Sequence, residues 1–216
     1  MRTVAKLLRT PIPQPQSYHE YADHREWLGI PYAANVLSNL PILAVGFVGL
    51  FRKNSSPSLK LMNLGLITAA LGSAYYHLAP DDQRLAWDRL GMSVALAGAL
   101  GSAAEESNPH SKAKSSVTMM ATLVANAAAI IWWQTVDDVR GYAASQGAAT
   151  LHFRQLAKRA PSDKRGRMMA LYWSNILAKA CELLDGPVWR MTGERISGHT
   201  LKHLLLAVGF GLREFY

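Results

Sequence analysis

Two histidines, His199 and His203, stand four residues apart near the start of the last apolar run of the chain. In a helix, residues at i and i+4 share one face, a turn apart. Both imidazoles can then reach one metal ion, as in the zinc helix His-Glu-x-x-His. Here Thr200 fills the second position, where that motif carries its glutamate base. A metal site built on this pair needs a third ligand and a base from elsewhere. Taken by itself, the pair fits equally well two ordinary polar residues at a helix start.

The elements that must position these residues follow from composition and its clustering. Half of the 216 residues are hydrophobic and only 18% are charged, against about 25% in a soluble domain. Mean hydropathy is +0.02, an average that hides long charge-free stretches separated by basic loops. The net charge of +8 therefore reads as loops flanking a membrane. No Lys/Arg run is interleaved with aromatics, so a nucleic-acid partner is not expected. A single cysteine, Cys181, excludes an internal disulfide framework and a cysteine-based zinc cluster. Met1 to Arg9 is basic but lacks the apolar stretch of a cleavable signal.

The expected architecture is all-α. Residues 1–32 form a polar N-terminal arm, made extended by Pro11, Pro13 and Pro15, and residues 33–216 form a seven-transmembrane helix bundle. The seven candidate spans are Ala33 to Phe51, Leu59 to Leu78, Leu85 to Ala104, Val117 to Val136, Tyr142 to Leu156, Met168 to Leu184 and Gly198 to Leu212. Gly91, Ala95, Gly98, Ala99 and Ser102 in the third would permit close helix packing. The fifth is the weak one, short and polar with Gln146, His152 and Arg154. Gly186-Pro187 is expected to stop the sixth, and Lys179, Glu182 and Asp185 to form a buried pair network along it.

Each span reverses direction, so alternate helix ends share a membrane face. His77 ends the second span, Asp88 opens the third, Asp137 and Asp138 end the fourth, Asp185 ends the sixth, and His199 and His203 open the seventh. All fall on one face provided the fifth segment crosses. His77, His199 and His203 then supply three neutral nitrogen donors with an open fourth position, the pattern of a catalytic zinc site. Zinc would lower the pKa of a bound water to about 7. Asp88 could take its proton, and Ser73, one turn before His77, could hold the water or an oxyanion.

Ser73-x-x-x-His77, Asp88 and His199-x-x-x-His203 resemble the signature of the CREST membrane hydrolases. Pro11 to Arg25, Asn35 to Leu40, Gly72 to Leu90 and Ser197 to Leu205 resemble the bacterial-type branch of the alkaline ceramidase family within them, so the likeness runs along nearly the whole chain. It implies seven helices, Zn2+ on the three histidines, and hydrolysis of the amide bond of ceramide-like lipids to a sphingoid base and a fatty acid, with Asp88 and Ser73 serving the water and the oxyanion. Eukaryotic members also hold Ca2+ with acidic residues of the arm. Glu20 and Asp23 correspond, but Tyr32 stands where a later acidic ligand would be, which argues against calcium here.

The expected partners are a lipid amide substrate and the bilayer. The alternatives are a non-catalytic seven-helix receptor or sensor with a structural zinc, and a soluble helical bundle with a metal site. Arg52, Lys53, Lys60, Lys112, Lys114, Arg159, Lys164 and Arg167 fall on the face opposite the histidines. The positive-inside rule places that face in the cytoplasm and the zinc face outside it, across the inner membrane for a bacterial protein. Arg2, Lys6, Arg9, Arg190 and Arg195 blur that contrast.

Overall fold

Proline and capping residues mark where the helices of this chain begin. In the computed structural model, which describes residues 10–215, Ser56 caps the backbone N–H of Leu59 ahead of Pro57. The Asp81 carboxylate likewise accepts from Arg84 N at 2.7 Å, and Ser197 Oγ from Thr200 N at 3.1 Å. The described residues hold no strand, and all their named secondary-structure elements are helices.

The helices are α1 (Ala33–Leu37), α2 (Leu40–Leu50), α3 (Pro57–Leu78), α4 (Asp82–Ser107), α5 (Lys112–Val136), α6 (Arg140–Arg159), α7 (Ser162–Leu183), α8 (Asp185–Met191) and α9 (Gly198–Phe215). A single 3₁₀ turn, Gln16–His19, lies in the arm. Arg2, Lys6 and Arg9 fall outside the described residues. Among the described residues, two stretches are long and apolar enough to cross a membrane by length and composition: Ala33–Leu50, counted through its break, and Lys112–Val136.

Three expectations are modified. The first span is two helices, because the Ser38 hydroxyl and the Asn39 amide both donate to the Asn35 carbonyl (3.0 and 2.9 Å) and Pro41 has no N–H to give. The polar fifth segment is a continuous 20-residue helix, roughly 30 Å long at 1.5 Å per residue. It carries the chain from one end of the bundle to the other and buries Ala149, Phe153, Leu156 and Ala157. Gly186-Pro187 does not end a helix. The preceding helix stops at Leu183, and the Gly-Pro pair lies in the first turn of α8, where proline needs no donor.

Helices α3 and α4 pack backbone to backbone. A Cβ on Gly65 would strike the main chain of Ala95, and one on Gly91 would strike that of Ala69. This close approach is what small residues permit, and it sets Ser73 and His77 of α3 beside Asp88 of α4. Helix α5 is joined to α6 through Asn126, whose Oδ1 accepts from Gln146 Nε2 at 2.7 Å and Ser145 Oγ at 3.1 Å.

The arm lies across one end of the bundle. Ile12 O accepts from Val139 N at 3.0 Å, Gln14 Oε1 from Arg89 Nη2 at 2.6 Å and Glu182 Oε1 from Tyr18 OH at 3.0 Å. Ala22 N donates to Asp185 Oδ2 at 2.8 Å. One segment thus bonds to the end of α7, the start of α8, the second turn of α4 and the residue preceding α6. Beside it, the Arg140 guanidinium holds the Asp138 carboxyl below the usual carboxylate range.

A Gly65→Ala variant should lower the thermal midpoint of the purified protein, at a cost of about 1–3 kcal/mol for forced overpacking. Gly147→Ala, in the middle of α6 with nothing within 4 Å of the new Cβ, should leave it unchanged or raise it slightly.

Candidate metal centre

The three histidines named from spacing meet. His77 comes from the last turn of α3, His199 and His203 from the first turns of α9, and all three are buried. Their ring centroids are 4.8 Å (His77–His199), 5.2 Å (His77–His203) and 4.9 Å (His199–His203) apart. One ligand atom from each lies within 4.8 Å of the others, so the group could hold a metal ion.

Hydrogen bonding determines which nitrogens face inward. His203 Nδ1 lies 2.7 Å from Ser38 Oγ, and the Ser38 hydroxyl gives its own proton to the Asn35 carbonyl. Nδ1 must therefore carry the hydrogen of the neutral ring, which leaves the Nε2 lone pair turned to the centre. That tautomer is assigned from the network. His77 Nε2 and His199 Nε2 approach to 3.2 Å. Three imidazole nitrogens converging with one orienting hydroxyl behind them suit zinc's preference for nitrogen ligands.

The two helices are brought to this geometry by groups outside the triad. Asp185 Oδ1 accepts from His199 N at 2.7 Å and Oδ2 from Ala22 N, so one carboxylate seats the start of α9 and ties the arm to it. A negative group is favourable at that helix end. Gly198 lies against the Cys181 carbonyl, where any Cβ would clash. The Tyr21 ring covers His199 and His77, with centroids 4.5 and 4.9 Å away. Burial pushes the Tyr21 phenol well above its usual range, so it stays protonated.

Ser73 and Asp88 belong to the same place. Ser73 Oγ lies 3.5 Å from His203 Nε2, and both residues line a cavity with His203 and Lys202. The cavity holds about 670 Å3 of open space, mouth included. The rest of its wall is mainly apolar, with Ile42, Leu66, Met92, Leu96, Leu206 and Phe210, and is interrupted by Gln146, Thr150 and Asn175. A second cavity shares Leu96, Thr150, Asn175 and Phe210 with it and runs on past Phe153 and Leu171. The result is a polar pocket leading into an apolar slot.

The arm's acidic residues are not drawn into a metal group. Asp23 pairs both oxygens with Arg25 (2.8 and 2.7 Å), Glu20 is exposed, and Tyr32 packs on Tyr21 and His24. Among the described residues the only ligand cluster found is the histidine one. The network expected from Lys179, Glu182 and Asp185 is divided. Glu182 pairs with Lys179 and, at 2.9 Å, with Lys202, while Asp185 serves the arm and α9. Spacing alone missed Lys202, which lies between the two α9 histidines, as well as Ser38 and Tyr21. Only Lys202, three residues after His199, carried a local signal.

No protein-family model matches the chain, and a search of curated proteins finds no match.

Replacing His77 or His203 by alanine should abolish binding of a divalent metal ion. Ser38→Ala should weaken it about 10- to 100-fold, as losing a ligand-orienting hydrogen bond does. Metal titration of the purified protein reads both.

Proposed function

We propose that this chain is a membrane-embedded, zinc-dependent amidase that hydrolyses ceramide-like lipids to a sphingoid base and a free fatty acid. The observation that carries the reading is the junction of three converging imidazoles with Ser73, Asp88 and an apolar slot. An amide between two long chains has that shape: a small polar centre to be cleaved, with hydrocarbon to be sheltered. The resemblance of the Ser73/His77, Asp88 and His199/His203 motifs to the alkaline ceramidases supports the same chemistry.

A seven-span arrangement is part of the proposal. Large apolar side chains point outward on several helices, among them Phe47, Leu71, Val124, Ile131, Leu177 and Val208, while Asn35, Asn63, Asn126 and Ser93 are buried. Such an apolar exterior around a polar interior suits lipid as the surrounding solvent. Ion pairs Arg52–Glu214, Arg167–Glu106 and Arg213–Glu106 gather basic groups at the end away from the histidines. The positive-inside rule then puts the metal end outside the cytoplasm.

A zinc ion bound to the three Nε2 atoms would supply Lewis acidity and bring the pKa of a water down toward neutrality. His77, His199 and His203 would hold the ion through lone pairs, and Ser38 keeps the His203 ring in register. Asp88 accepts a proton from the attacking water and returns it to the departing amine nitrogen. Ser73 donates a hydrogen bond to the oxygen that becomes negative when the carbonyl is attacked. The apolar slot keeps bulk water from the acyl chain and orients the amide.

The closed lid that Tyr21 makes over two of the rings favours one rival, a non-catalytic receptor in which zinc is structural. A labelled ceramide panel given to the purified protein separates the two: release of fatty acid supports the amidase, and zinc binding without any turnover supports the receptor. For the amidase, Asp88→Asn should retain zinc and lose about 10²- to 10⁴-fold in kcat. Full turnover in Asp88→Asn or in either His→Ala variant would remove the proposed roles.

A further inference from the structure

Lys202 is the one charged residue of the centre for which the reading above has no use. It is 7% exposed and lines the cavity with Ser73, Asp88 and His203. Its Nζ donates to Glu182 Oε1 at 2.9 Å and lies 3.4 Å from His199 Nε2. An ammonium has three N–H donors. The second contact depends on the His199 lone pair, which a bound metal ion would take. In the metal-loaded protein Lys202 would therefore keep one anchored N–H and turn the others to the cavity, where an unmet buried donor is costly.

Two carboxylates act on this charge: Asp88, which lines the same cavity, and Glu182, its hydrogen-bonded partner. The Glu182 carboxylate also pairs with Lys179 and accepts from Tyr18 OH, so its negative charge is shared between two ammonium groups. A site with an ammonium donor at its polar end and Leu66, Leu96, Leu206 and Phe210 beyond it matches one ligand chemistry. That chemistry is an oxygen anion at the head of a long hydrocarbon chain.

We infer that Lys202 binds the acyl oxygen of the lipid: the carbonyl oxygen of the bound amide and a carboxylate oxygen of the released long-chain acid. The inference rests on the acyl-lipid reading of the cavity. It makes the fatty acid a retained product and a competitive ligand, and it gives Lys202 a role separate from holding metal. An ammonium beside a divalent cation repels it, so removing the charge should leave zinc binding as tight or tighter, which a purely supporting residue would not do.

The test uses the full chain in detergent, loaded with zinc, as wild type, K202M and K202Q. K202Q can keep a hydrogen bond to Glu182 and guards against a folding defect in K202M. Palmitate and hexadecanol, equal in chain length but different in head group, are titrated into each, and zinc affinity is measured alongside. The wild type should prefer palmitate by about tenfold or more, the scale of a charge-assisted hydrogen bond. Both variants should lose that preference and hold zinc at least as tightly. A preference that survives in K202Q or K202M overturns the role of Lys202 and leaves the acyl cavity standing. Zinc affinity that falls with the charge also overturns it, assigning Lys202 to support of the ligands. Wild-type protein that binds neither chain overturns the acyl-lipid reading, and this inference with it.

Discussion

Three imidazoles buried against one another are tolerable only if their inward lone pairs have a cation or a proton to share. Neutral rings at these separations present nitrogen to nitrogen, and burial removes the water that would otherwise solvate them. Much of the rest of the structure can be understood as satisfying that constraint. Ser38 Oγ accepts the hydrogen bond from His203 Nδ1–H, Asp185 seats the start of α9, and Glu182 holds the nearest ammonium. The break between α1 and α2 belongs to the same arrangement, since Ser38 and Asn39 turn their side chains to the Asn35 carbonyl at the point where Ser38 reaches His203.

Glycine supplies the complementary geometric condition. The α3–α4 contact brings backbones together at Gly65 and Gly91, so the functional side chains of those helices project from a rigid pair. Gly198 does the same for α9 against the end of α7. The ligand positions are therefore set by main-chain contacts, which have few alternative states, and the polar network trims the side chains within that frame.

The helices and the histidine cluster were legible because both obey short-range rules. The i, i+4 histidines, the charge-free stretches and the alternation of helix direction are patterns along the chain, and together they brought His77, Ser73 and Asp88 to the α9 histidines. The missed residues act across the fold. Ser38 finds His203 from 165 positions away, and Tyr21 lies over rings from two helices. Asp185 sits on a helical stripe with Lys179 and Glu182, yet bonds to backbone N–H groups of α9 and of the arm. Stripe logic assigns side-chain neighbours on one helix and says nothing about main-chain donors brought in from another. The polar fifth segment shows the converse: hydropathy underrates it, while its packing face of Ala149, Phe153 and Leu156 is apolar.

The arm has a consequence for how the molecule is made. Ribosomes deliver Ile12 to Ala22 long before Val139, Glu182 and Asp185, so a strap held by hydrogen bonds with sequence separations of 163 and 164 residues has nothing to fasten to during most of synthesis. Such distant pairings carry the entropy of a large loop and form late. Two of the three clustered histidines, on α9, also follow the arm by more than 170 residues. Arm docking therefore follows the synthesis of α7 and α8, and until then a nascent bundle would present an open, unlatched mouth.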